Sequence, residues 1–241
     1  MYGSSVLVMV PLRAAPTRLM PCERLHRPGS ARPAGHIVPL GSWVLGQAAA
    51  DLVQWVRQAP RQEPLYVSVN VSARQFRDPG FVGGVRRVLA ESGLAPSALM
   101  LELTESVLLR RDERIHADLM ELRAVGVNLA IDDFGTGYSS LSYLRELPID
   151  VLKIDKSFVD GIGISEQRLA LVEGIIRIAR TLDLNVIAEG IETEIQRDLL
   201  VSMGCQFGQG YLLAMPVEAD HAETLVRIGR GLVPELPRIS H

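Results

Sequence analysis

Six short apolar runs in this chain each end in residues able to do chemistry. Val67-Ser-Val-Asn ends in Asn70, and Met100-Leu-Glu-Leu-Thr-Glu carries Glu102 and Glu105. Leu129-Ala-Ile runs into Asp132 and Asp133, and Val151-Leu ends in Lys153 with Asp155 just beyond. Val186-Ile-Ala ends in Glu189, and Gln206-Phe-Gly ends in Gln209. Asn70, Glu102, Asp132, Asp133 and Glu189 supply hard oxygen donors with no His or Cys among them, a set that favours Mg²⁺ or Mn²⁺ over zinc. Four carboxylates in one pocket repel one another and are costly to bury unpaired. Divalent cations remove that conflict. Adjacent aspartates at a strand end can face different ions, or one can bridge a pair ~3.5–4 Å apart, an arrangement that activates water for in-line displacement at phosphorus. Lys153 then has two readings: a cation that orients the water or neutralises phosphate, or an ion-pair partner of Asp132.

The elements that must position these residues follow a regular alternation. The apolar runs Leu65–Asn70, Leu99–Glu105, Val127–Asp133, Ile149–Asp155, Asn185–Glu189 and Cys205–Gln209 read as strands. Between them Phe81–Ser92, Asp112–Val125, Ser139–Leu147, Glu166–Leu182 and Thr193–Met203 have helical length or spacing, with Trp43–Gln58 before and Glu218–Ile228 after. Near-continuous apolar strands alternating with helices predict an α/β fold with a parallel sheet, closed or nearly closed. A doubly wound open sheet is the alternative, but no strand is followed by a glycine-rich phosphate fingerprint. In a barrel, polar residues at the C-terminal strand ends converge on one mouth. A single such acid is more often a helix cap; six strands ending this way form a constellation.

Composition bounds the rest. With 241 residues, 47% hydrophobic and 22% charged, the chain reads as globular. A net charge of −3 offers no basic footprint for a nucleic acid polymer. No apolar run approaches ~18 residues, so no membrane span is expected. Two distant cysteines, Cys22 and Cys205, form no disulfide framework and fit a reducing, cytoplasmic setting. Residues 1–50 differ: a single acid, Glu23, stands among arginines interleaved with prolines. Asp133-Phe-Gly matches the kinase magnesium motif, but without the companion loops a kinase reading fails.

Longer blocks carry a specific resemblance. Asp132-Asp-Phe-Gly-Thr-Gly-Tyr-Ser-Ser-Leu-Ser-Tyr-Leu144, Val151-Leu-Lys-Ile-Asp-Lys-Ser-Phe-Val159, Ala188-Glu-Gly-Ile-Glu-Thr193 and Gln209-Gly-Tyr211 resemble the signature blocks of the EAL-domain family. Val69-Asn-Val-Ser72 and Leu101-Glu-Leu-Thr-Glu-Ser106 add two more in the expected order. The resemblance implies a modified TIM-type (β/α)₈ barrel over residues 37–234, after a divergent or irregular segment 1–36 and before a tail 235–241. It implies cyclic di-GMP hydrolysis to linear pGpG by two-metal water activation, or binding of that dinucleotide without turnover. Asn70, Glu102, Asp132 and Glu189 would ligate metal, with Asp132 bridging and Asp133 serving the second ion. Lys153 would hold the attacking water, supported by Glu192 and Gln209. Glu105 would anchor a substrate loop containing Phe134, Gly135, Thr136, Gly137, Tyr138 and Ser139, and Asp155 would meet the nucleotide. Implied partners are cyclic di-GMP, a second copy meeting the helix after Lys153, and an upstream sensory domain.

One block departs from the pattern. The Glu-Ala-Leu motif that names the family is not found, and its nearest remnant is Ser5-Val6-Leu7, with Met9-Val10 where Arg-Trp would follow. The first strand has no room before Met1, so a barrel lacking that strand, with an exposed sheet edge, is expected. Leu25-His-Arg-Pro-Gly29, read one base later, can encode Phe-Ile-Ala-Leu-Ala, so a shifted reading frame and divergence both account for residues 1–36. Residues 11–35 are expected to form an irregular loop.

Overall fold

The computed structural model describes residues 10–11, 37–58, 65–108, 112–135 and 144–213. After β1 (Val10–Pro11) comes α1 (Ile37–Gln58), then β2 (Val67–Val71), α2 (Ala73–Phe76), α3 (Phe81–Ser92), β3 (Leu99–Thr104), α4 (Glu105–Leu108) and α5 (Glu113–Val125). The remainder is β4 (Asn128–Phe134), β5 (Val151–Ile154), α6 (Lys156–Val159), α7 (Glu166–Thr181), β6 (Asn185–Ala188), α8 (Glu194–Ser202) and β7 (Phe207–Gly208). The sheet order is β1-β7-β6-β5-β4-β3-β2, with β2 to β7 parallel and β1 antiparallel to β7.

That order separates the two architectures left open by the sequence. A doubly wound sheet reverses strand order at a switch point and carries helices on both faces. Here β2 to β7 run in sequence, so right-handed crossovers place the helices on one face and curl the other inward. Side-chain parity shows the same division. Leu99, Leu101, Leu103, Leu129, Ile131, Leu152, Ile154 and Val186 share one core with the helical residues Leu52, Val85, Leu119, Ile176 and Leu200. Tyr66, Met100, Ala130, Val151, Ile187 and Phe207 form a separate inner cluster. The described residues form a parallel half-barrel of the TIM type with an apolar floor.

The N-terminal segment does contribute a strand, β1, which sequence reading did not place. No ladder among the described residues joins β1 to β2. Residues 1–9 and 12–36, the expected helix Glu218–Ile228, most of Ser139–Leu147 and the tail lie outside the described residues. Among the described residues, no helix is long and apolar enough to cross a membrane.

Helix boundaries follow their caps. Ser165 accepts from Arg168 N to start α7, and Thr193 with Gln196 forms a capping box on α8. At the other end of α5, Gly126 adopts φ 98° and closes the helix. α1 begins six residues before the expected Trp43, because Pro39 is tolerated in a first helical turn.

Candidate active site

Two residues beyond the apolar floor, along the same inner face, stand Ser68, Glu102, Asp132, Lys153, Glu189 and Gln209. The period of two along each strand puts them there: Met100 to Glu102, Ala130 to Asp132, Val151 to Lys153, Ile187 to Glu189 and Phe207 to Gln209. Asn70, two residues past Ser68, completes the set at the mouth.

The pair Asp132-Asp133 requires more than parity, since neighbours in a strand face opposite sides. Against β5, Ile131 pairs with Leu152 and the next partnership is Phe134 with Ile154. One extra residue is therefore bulged opposite Lys153. Asp133 takes it up with φ 54°, a left-handed conformation that aspartate tolerates better than most residues. The bulge brings one carboxylate oxygen from each of Asp132, Asp133 and Glu189 within 4.8 Å of one another. It also returns Phe134 to the helix-side core, where the ring is buried as the last residue of β4 rather than lying in a loop.

Lys153 is buried at the centre. Its Nζ lies 2.6 Å from Glu102 Oε2, 2.8 Å from Asp132 Oδ1 and 2.6 Å from Glu189 Oε1. The ion-pair reading of this lysine therefore holds, with three acids as partners rather than Asp132 alone. Burial alone would depress its pKa, but Glu102, Glu189 and Asp132 together hold the ammonium well above the ordinary lysine range. One positive charge does not balance three carboxylates. Glu189 carries the excess: burial pushes its pKa up to about 7, Lys153 opposes the rise, and Asp132 and Glu102 add to it.

Neutral groups complete the network. Ser68 Oγ donates to Glu102 Oε1. With its amide turned to satisfy both neighbours, Asn70 Nδ2 donates to Glu102 Oε2 at 3.3 Å and Asp132 Oδ2 at 3.1 Å. Gln209 Oε1 is buried without a hydrogen-bond donor among the described residues, an orphaned acceptor that asks for a water or cation. Excess negative charge, an all-oxygen donor set and this orphan together fit hard divalent cations.

At the rim, Glu105 is buried and its Oε2 accepts from Gly135 N at 3.1 Å. Gly135 has φ 97°, and a Cβ there would stand 2.9 Å from the Phe158 ring, so glycine is required. Thr136, Gly137, Tyr138 and Ser139 lie outside the described residues. Asp155 and Glu192 make contacts with α6. Asp155 caps α6, accepting from Ser157 N at 3.0 Å, and Glu192 Oε1 lies 2.8 Å from Lys156 Nζ. Sequence reading missed Ser68 and Lys156. Ser68 was accessible by the period of two from Asn70; Lys156 had no signal, because its contact with Glu192 spans 36 residues.

Known proteins with similar sequence and structure extend this geometry. The EAL domain profile matches residues 29–216. The bifunctional diguanylate cyclase/cyclic di-GMP phosphodiesterase MucR of Pseudomonas aeruginosa is 42% identical over 190 residues, 79% of this chain and 27% of that protein. The structure of the MucR phosphodiesterase in complex with c-di-GMP superposes with a TM-score of 0.81 at 36% identity, covering 91% of this chain and 93% of the other. A manganese and cyclic di-GMP complex of Klebsiella pneumoniae BlrP1 gives a TM-score of 0.73 at 29% identity, over 88% of this chain and 55% of that one. This chain spans about a third or less of the length of the curated relatives it matches.

Proposed function

The chain belongs to the EAL-domain family, and on that premise we propose that it is a metal-dependent phosphodiesterase cutting cyclic di-GMP to linear pGpG. The observation that carries the proposal is the bulge at Asp133, which turns two adjacent carboxylates and Glu189 toward one point beside a buried ammonium. Asn70, Glu102, Asp132, Asp133 and Glu189 would hold two Mg²⁺ or Mn²⁺ ions, with Asp132 shared between them. Bound there, such ions lower the pKa of water and neutralise phosphate charge.

The remaining steps belong to the chain's own side chains. Lys153, held charged by three acids, would give one of its three N–H groups to the attacking water and fix its direction once the acids turn to the cations. Gln209 Oε1, buried and unpartnered among the described residues, accepts from that water, and Glu192 extends the acceptor set outward. Glu105 tethers the start of the loop after β4, and Asp155 offers an acceptor to the nucleotide at the lip. The relatives' greater length supports an adjoining sensory region. Pairing of two copies beside the helix after Lys153 and a cytoplasmic setting complete the proposal.

A second reading has one observation in its favour. No Glu-Ala-Leu motif occurs in the sequence, and Ser5 stands where its glutamate would be. That removes a carboxylate ligand and favours a cyclic di-GMP receptor with little turnover. Incubating the chain with Mn²⁺ and cyclic di-GMP separates the two, when pGpG release and ligand binding are both followed. Product release abolished by Asp132→Asn supports the enzyme; binding without product, unchanged by Asp132→Asn, supports the receptor.

A further inference from the structure

The lip of the barrel holds an ion-pair relay outside the central cluster. Lys156, the first residue of α6, places Nζ 2.5 Å from Asp160 Oδ1 and 2.8 Å from Glu192 Oε1. Its stem lies over Gly190, which has φ +70°; a Cβ there would come within 2.3 Å of Lys156 Cγ, so only glycine leaves this path open. The backbone of Glu192 is tied to the same helix. Glu192 N donates to Gln196 Oε1 at 2.8 Å, and Gln196 Nε2 donates to Val159 O at 3.2 Å. Both the peptide and the carboxylate of Glu192 are thus held from α6, three residues after Glu189.

We infer that Lys156 is a positioning residue that competes with divalent metal for the Glu192 carboxylate, holding it at the lip until a cation draws it inward. The inference rests on the metal-dependent reading above and adds a regulator to it. The pair is about half exposed, so its strength is modest and screened by salt. Lys156 therefore acts as a trim on metal occupancy rather than a lock.

The test is calorimetric titration of MnCl₂ alone into the full chain at low ionic strength. Lys156→Met should bind Mn²⁺ about 1.5- to 5-fold more tightly than wild type, the range an exposed ion pair allows. Lys156→Arg should stay near wild type, and the gain should shrink as salt is raised. In a Glu192→Gln background, Lys156→Met should change nothing. Unchanged or weakened Mn²⁺ binding by Lys156→Met overturns the inference. So does a gain that persists with Glu192→Gln, which would reflect only the lost positive charge. A wild-type chain that binds no Mn²⁺ overturns the metal-dependent reading itself, a result distinct from binding that ignores Lys156.

Discussion

Lys153 faces Asp132 at 2.8 Å across the β4–β5 ladder, where that ladder carries an extra residue. The bulge and the buried ammonium belong together. Without the bulge Asp133 would point into the helix layer, and without the ammonium three carboxylates would share a dry pocket uncompensated.

Removing the ammonium should therefore unfold the metal-free chain more readily. Lys153→Met leaves Glu102, Asp132 and Glu189 facing one another, and breaking a buried ion pair of this kind costs about 3–5 kcal/mol. Mn²⁺ should restore much of that loss, since saturation at a hundred times Kd contributes about 2.7 kcal/mol. Urea denaturation in EDTA and in Mn²⁺ measures both. Equal midpoints for wild type and variant in EDTA would show that Lys153 does not balance the acids.

Asp133 separates conformation from charge. Asp133→Asn keeps a residue that accepts φ 54°, so stability should hold while Mn²⁺ affinity drops. Asp133→Val should lose affinity and also cost about 1–2 kcal/mol or more, because a β-branched side chain is strained in the left-handed region. Paired denaturation and titration curves decide it, and a valine variant as stable as wild type would contradict the bulge geometry.

Glu189 makes stability depend on pH with a defined sign. Its carboxyl titrates near 4.5 when unfolded and near 7 when folded, so the native state binds this proton more tightly. The contribution favours folding below about pH 4.5 and is withdrawn as pH climbs through 7. Glu189→Gln cannot ionise, so in EDTA it should gain on wild type as pH goes from about 5 to about 8. The gain should be on the order of 1–3 kcal/mol, because each tenfold difference in proton affinity between the folded and unfolded chain is worth about 1.4 kcal/mol. A difference that stays flat across that interval would show that Glu189 ionises normally.

Cys205 should be inert. It is fully buried, and burial pushes its thiol up to about 12. In a Cys22→Ser chain at about pH 8, iodoacetamide should leave Cys205 unmodified until denaturant opens the barrel. Rapid labelling of the folded chain would show that the β7 region is open.

Much of the fold was legible in the residues themselves. The helix Phe81–Ser92 matched residue for residue, because Gly93 in a left-handed cap closes it where the apolar period ends. The short helices α2, α4 and α6 were missed, being four residues each and too brief to show a period. Phe134 illustrates a subtler limit. Strict alternation from Asp132 would turn it inward, and only a register shift against β5 buries it among the helices.

From the chain alone came the strand endings, the oxygen-only donor set and the family blocks, because residue type and a period of two are local properties. Which acids share Lys153, that Asp133 joins Asp132 on the inner face, and that Lys156 reaches Glu192 were settled only in three dimensions. Those relations depend on ladder register and on contacts spanning 21 to 51 residues, and register belongs to pairs of strands rather than to any one of them.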